Sequence, residues 1–185
     1  MTTQAAVVLV IAIVAIAIVA WLLIRQRSTK LRSQFGPEYD RLVRERGSTF
    51  KAEHELEGRA KRVERLHIRH LSAEEAEDFA AEWRAVQERF VDDPRGAVGD
   101  ADQLVQRAMK ARGYPVGGDF DAQAADLSVD HPHVISNYRA AHAIAARDAQ
   151  NQVSTEDLRL AMQHYRALFE DLLARRVEET TGARR

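Results

Sequence analysis

Cysteine is absent from the 185 residues of this chain. A disulfide scaffold, a thiolate zinc site, an iron–sulfur centre and a cysteine nucleophile are therefore excluded. An excess of either charge is missing as well, since 27 Lys and Arg stand against 28 Asp and Glu. That balance excludes a nucleic-acid binder driven by bulk positive charge, so no nucleic-acid partner is expected, and it equally excludes an acidic disordered tail. Sustained β alternation is absent, which makes the class all-α. No His-Glu-x-x-His, Gly-x-Ser-x-Gly or glycine-rich phosphate loop occurs, and Gly117-Gly118 lacks both the preceding strand and the following Lys-Ser/Thr that phosphate binding needs. No catalytic residue and no cofactor is selected.

What the chain does have is one long apolar run. Ala5 to Ile24 is 20 residues with no polar side-chain group except the indole of Trp21. At about 1.5 Å per residue a helix of that length spans about 30 Å, the thickness of a bilayer's hydrocarbon core. A cleaved secretory signal fits poorly, because residues 1–4 carry no side-chain charge and the Ala-x-Ala match Ala15-Ile16-Ala17 lies inside the run. Arg25, Arg27, Lys30 and Arg32 follow the run and nothing basic precedes it. Cytoplasmic flanks are rich in Lys and Arg, so the expected orientation is amino terminus outside and residue 25 onward inside. The same four side chains are the candidate juxtamembrane lipid contacts, each attracted to anionic lipid by about 1 kcal/mol when close to the surface. The first glycine is Gly36, so the span holds no Gly-x-x-x-Gly pairing motif.

These observations divide the chain into a tail (1–4), a membrane span (5–24), a basic neck (25–35), a helical domain (36–175) and a frayed tail (176–185). Four of the cations and none of the acids fall within residues 1–32, which leaves 23 against 28 in the remaining 153 and a formal charge of −5. A mildly acidic domain does not lie flat on an anionic membrane by electrostatics alone.

The four prolines punctuate the domain. Pro37, Pro94 and Pro132 are expected at first helical positions, and Pro115 follows the helix stop Gly113. Helices are predicted over 37–46, from Thr49 to about Ile68, from the Ser72-Ala73-Glu74-Glu75 capping box through Phe90, over 94–112, over 121–126, over 132–148, and from Ser154 past Leu173. In the second, Phe50, Leu56, Ala60, Val63 and Leu66 share a side, while Glu55 with Arg59 and Glu57 with Lys61 read as a solvated face. Phe79, Trp83, Val86 and Phe90 form the next stripe. Ala97, Val98, Ala101, Leu104, Val105, Ala108 and Met109 form another, and Leu158, Ala161, Met162, Tyr165, Phe169 and Leu172 point inward from the last helix. Tyr114 to Asp119 is the natural hinge. The expected architecture is an anchor helix followed by an irregular bundle of about six helices.

Candidate site residues concentrate in Asp126, Asp130, His131 and His133, followed by Tyr138, Arg139 and His142. Carboxylates and imidazoles at this density suit a divalent metal. Asp, Ser and His before a proline equally suit the opening of a helix, where side-chain oxygens accept orphan N–H groups. Tyr138-Arg139 and Tyr165-Arg166 can recognise phosphate, carboxylate or a partner surface, or the tyrosines can lie in the core while the arginines pair with acids such as Glu156, Asp157 or Glu170.

The segments Phe35-Gly36-Pro37-Glu38-Tyr39-Asp40-Arg41, Trp83 to Gln87, Phe90-Val91-Asp92-Asp93-Pro94, Arg112-Gly113-Tyr114-Pro115, Asp126 to Pro132 and Tyr138 to His142 together resemble a family of small single-pass bacterial membrane proteins without an assigned function. The resemblance implies a bacterial inner-membrane protein with an anchored helical domain and carries over no activity, cofactor or catalytic residue. Two functions are expected from the whole: a membrane-tethered helical interaction or adaptor domain with a cytoplasmic protein partner, or a small-molecule or metal site, sensory or enzymatic, built on Asp126 to His133.

Overall fold

The computed structural model describes residues 3–148 and 153–174, and the expected frayed tail lies outside them. The described residues are all-helical: α1 (Thr3–Phe35), α2 (Pro37–Arg46), α3 (Thr49–Val63), α4 (Ala73–Arg89), α5 (Pro94–Arg112), α6 (Phe120–Asp130), α7 (Ile135–Asp148) and α8 (Thr155–Leu173). Among the described residues seven helices follow α1, in keeping with the expected irregular bundle. The chain forms two compact units, residues 1–57 and 58–185.

In the first unit the apolar run and the basic neck are one helix. No glycine or proline interrupts the chain between Ala5 and Phe35, so nothing stops helix propagation until Gly36-Pro37. Gly36 takes a φ of +48°, a left-handed conformation that glycine adopts without a Cβ penalty. The segment Ile11–Phe35 is long and apolar enough to cross a membrane, and its side chains from Ile11 to Ile24 are exposed. Beyond them Leu31 and Phe35 are buried, as are Tyr39 and Leu42 of α2 and Ala52 and Leu56 of α3. A carboxylate completes this small core. Buried Glu53 accepts from Ser28 Oγ at 2.5 Å and from Tyr39 Oη at 2.9 Å, which satisfies it without a cation. Phe50, expected inside, is exposed, and the acids expected on a solvated face of α3 reach other helices: Glu55 pairs with Arg46 and Glu57 with Arg27.

In the second unit α8 packs against α5 and α7, and α4 covers α5. The predicted stripe of α5 is buried throughout, and so is that of α8. On α4 only Trp83 is fully buried; Phe79, Val86 and Phe90 pack partly exposed at the margin. Trp83 stacks on Phe169 with ring centroids 4.7 Å apart, and Phe79 meets the same ring edge-on. The predicted capping box of Ser72 with Glu75 forms, and a second one, Ser154 with Asp157, opens α8.

Four boundaries differ from expectation. α3 ends at Val63 rather than near Ile68, because the following backbone is taken up by α5: Arg69 N–H donates to Arg112 O at 2.9 Å, and Arg112 Nε donates back to Arg69 O at 3.1 Å. α6 continues to Asp130 rather than Asp126 because Leu127 is a core residue, and it stops at His131, the residue that Pro132 bars from helical geometry. Pro132 thus closes α6 instead of opening α7, which starts at Ile135 after a turn held by the His131 carbonyl. α8 closes at Leu173, where Ala174 turns extended, instead of running past it.

Candidate functional site

The density of polar residues between Asp126 and His142 does not become one cluster, because α6, the turn and α7 send them to different partners. Asp126, buried on α6, accepts two bonds from Arg62 on one carboxylate oxygen, Nε at 2.6 Å and Nη2 at 2.5 Å. Asp130 accepts from the Tyr114 hydroxyl at 2.6 Å. His131 is buried at the end of α6, its Nδ1 bonded to Asp171 of α8 and its Nε2 enclosed without a partner among the described residues. His133 is exposed in the turn. Tyr138 is core, Arg139 lies 3.7 Å from Asp121, and His142 stacks on Phe120 with centroids 3.6 Å apart. Among the described residues no three His, Asp or Glu side chains come together as a metal site. The helix-opening alternative fails too, since Asp126, Ser128 and Asp130 lie inside α6 and Ser128 bonds back to the Ala125 carbonyl.

The second candidate group separates by residue type. Tyr138 and Tyr165 are buried and meet edge to face, centroids 6.3 Å apart. Burial pushes both phenols far above their ordinary value, and the Asp102 carboxylate nearby adds to the effect. Arg166 pairs with Glu170 on the surface, as the core alternative requires.

A different feature is the concavity between α4 and α8. Trp83, Phe90 and Met162 contribute its apolar lining, Gln87 and Gln163 its amides, and Arg159 and Arg166 its cations; its volume is about 240 Å³. Among the described residues the two arginines are held by exposed pairs on their own helix, Arg159 with Glu156 and Arg166 with Glu170. Such exposed pairs contribute little, so a better-placed carboxylate can displace them. Trp83 is buried, and among the described residues its indole N–H has no acceptor. Sequence reasoning placed Trp83, Phe90 and Met162 in stripes facing the core. The cleft is lined from two helices far apart in the chain, and no residue spacing encodes that juxtaposition.

The reach of Arg112 and the His131–Asp171 pair were also not foreseen. Their partners stand 60 and 40 residues away along the chain, and no local pattern marks them.

On α1, the four basic residues divide. Arg27 binds Glu57 at 2.6 Å, and Arg32 binds Asp40 at 2.9 Å while lying over the Tyr39 ring. Arg25 lies over the Trp21 ring, 5.2 Å from its centroid. Lys30 is exposed.

Compared with known protein families, with curated proteins and with solved structures, the chain matches none.

Proposed function

We propose that this protein is a membrane-tethered helical interaction domain: α1 crosses a bacterial cell membrane once, amino terminus outside, and the α4–α8 cleft holds a cytoplasmic partner protein. The cleft carries the reading. Aromatic and Met side chains beside arginines are the composition that protein interfaces favour. The partner that fits is an amphipathic acidic segment, an aliphatic side chain against Trp83 and Met162 and carboxylates on Arg159 and Arg166. Support for the tether is the uncharged, exposed run from Ile11 to Ile24 followed by cations.

The test places a photo-crosslinking amino acid at Gln87, Gln163 or, as a control, Lys110 in the full-length protein in cells. The expected result is one discrete adduct from positions 87 and 163, with an acidic, aliphatic-containing segment at the crosslink. It should vanish in the Arg159→Glu/Arg166→Glu variant while helicity is retained. Equal adducts from Lys110, or a basic segment at the crosslink, overturn the reading. Single cysteines placed at Thr2 and His54 of this cysteine-free chain report orientation separately through a membrane-impermeant thiol reagent.

A further inference from the structure

We propose that the open face of α1 formed by Arg25, Gln26 and Lys30, with Leu22 at its apolar end, seats the phosphate of an anionic phospholipid. The inference rests on the reading that α1 spans a membrane. By sequence all four cations at the end of the apolar run are equivalent, but the fold makes them unequal. Arg27 and Arg32 flank the packed face of α1, which carries Ser28, Leu31 and Phe35, and their carboxylate partners hold α2 and α3 against it. At 100° per residue, Leu22, Gln26, Thr29, Lys30 and Ser33 fall on the opposite face. These residues and Arg25 line a shallow concavity of about 500 Å³.

The polarity of this strip follows that of a phospholipid. Leu22 belongs to the apolar run, the Arg25 guanidinium lies over the indole of Trp21 at the level where interfacial aromatics sit, and Lys30 stands more than a turn further out. Among the described residues neither Arg25 nor Lys30 pairs with a carboxylate. The hydroxyls of Thr29 and Ser33 are turned inward, donating at 2.9 Å to the carbonyls of Arg25 and Lys30. That leaves the guanidinium fork, the Gln26 amide and the Lys30 ammonium as donors. A fork matches two oxygens of one phosphate, and an ammonium supplies a point charge beside it. Two cations close to an anionic leaflet are enough for roughly tenfold selection over a zwitterionic lipid.

The experiment reconstitutes the full chain into vesicles of equimolar phosphatidylglycerol and phosphatidylcholine. Insertion is measured by resistance to alkaline extraction, and the lipids retained after mild detergent extraction are measured by mass spectrometry. Phosphatidylglycerol should be enriched about tenfold, falling to near parity in Arg25→Gln/Lys30→Gln and persisting in Arg27→Gln/Arg32→Gln, with circular dichroism confirming helicity in each. An unchanged preference in the first double variant overturns the proposal, as does an equal loss in the second. Insertion without any preference overturns the headgroup site alone, whereas failure to insert overturns the membrane reading together with it.

Discussion

The guanidinium of Arg112, buried at the end of α5, donates through Nη1 to the carbonyl oxygen of Leu172 at 2.9 Å, in the last turn of α8. Its Nε meets the Arg69 carbonyl. A cation thus stands where the α8 macrodipole is negative and serves carbonyls that have no further turn of helix to bond to. Arg112→Met should cost about 1–3 kcal/mol, since the buried Leu172 carbonyl and the part-buried Arg69 carbonyl lose a charged donor together. Urea unfolding followed by Trp83 emission, in a Trp21→Phe background that leaves one indole, measures it. A loss under about 0.5 kcal/mol would show that water replaces the guanidinium at no cost.

Two glycines of the same unit should respond in opposite directions to alanine. Gly99 lies within α5 and an added Cβ meets nothing within 4 Å, so Gly99→Ala should stabilise by up to about 1 kcal/mol through helix propensity. Gly113 has a φ of +98°, and a Cβ there runs into the His67 carbonyl oxygen and lies 3.1 Å from its carbon. Gly113→Ala should cost about 2–4 kcal/mol, left-handed strain adding to the clash. The same urea titration reads both.

The contrast between Gly113 and His131 explains which parts of the fold were legible. Gly113 closes the apolar stripe of α5, and both stripe and stop are local signals, so α5 and its left-handed cap follow from residue order alone. The stripe on α8 and the capping box at Ser72 were legible for the same reason. His131-Pro132 carries a signal that two structures share, the end of one helix or the start of the next, and packing of Leu127 decides between them. Burial of Glu53, Arg59 and Arg112 was not legible, because a charged side chain enters a core only where distant residues supply its bonds. The arrangement of the candidate residues was not legible on the same account: polar density along the sequence between Asp126 and His142 is spent on separate tertiary partners, and the α4–α8 cleft is lined from two helices far apart in the chain.

Alkaline pH should destabilise the second unit through its two core tyrosines. Burial, and then the Asp102 charge, raise the Tyr138 and Tyr165 phenols well above the ordinary value of 10.0. The folded state therefore keeps protons that the unfolded chain releases above pH 10, so the contribution is fully present below that pH and is lost as pH rises past it. Each phenol should remove about 1.4 kcal/mol per pH unit above that point. Urea midpoints between about pH 9 and pH 11 should fall accordingly, and Tyr138→Phe/Tyr165→Phe should flatten the dependence. An identical slope in the double variant would place the titrating groups elsewhere.

Asp126 offers the sharpest separation between a structural carboxylate and a metal ligand. Its side chain is 7 % exposed and both Arg62 bonds fall on Oδ1, whereas the Arg62 side chain is 50 % exposed. Asparagine preserves volume but withdraws the charge that the guanidinium meets, so Asp126→Asn should cost about 1–3 kcal/mol. Because half of Arg62 already faces water, Arg62→Gln should cost less, and the double-mutant cycle should return about 1 kcal/mol of coupling. Zinc added to the wild-type protein should leave its melting temperature where it was, since a ligand stabilises only what it binds. A zinc-dependent rise that Asp126→Asn abolishes would instead require Arg62 to swing away and the carboxylate to join His131 or His133. In that case the coupling with Arg62 would disappear at saturating zinc, so the two measurements identify the role of this side chain between them.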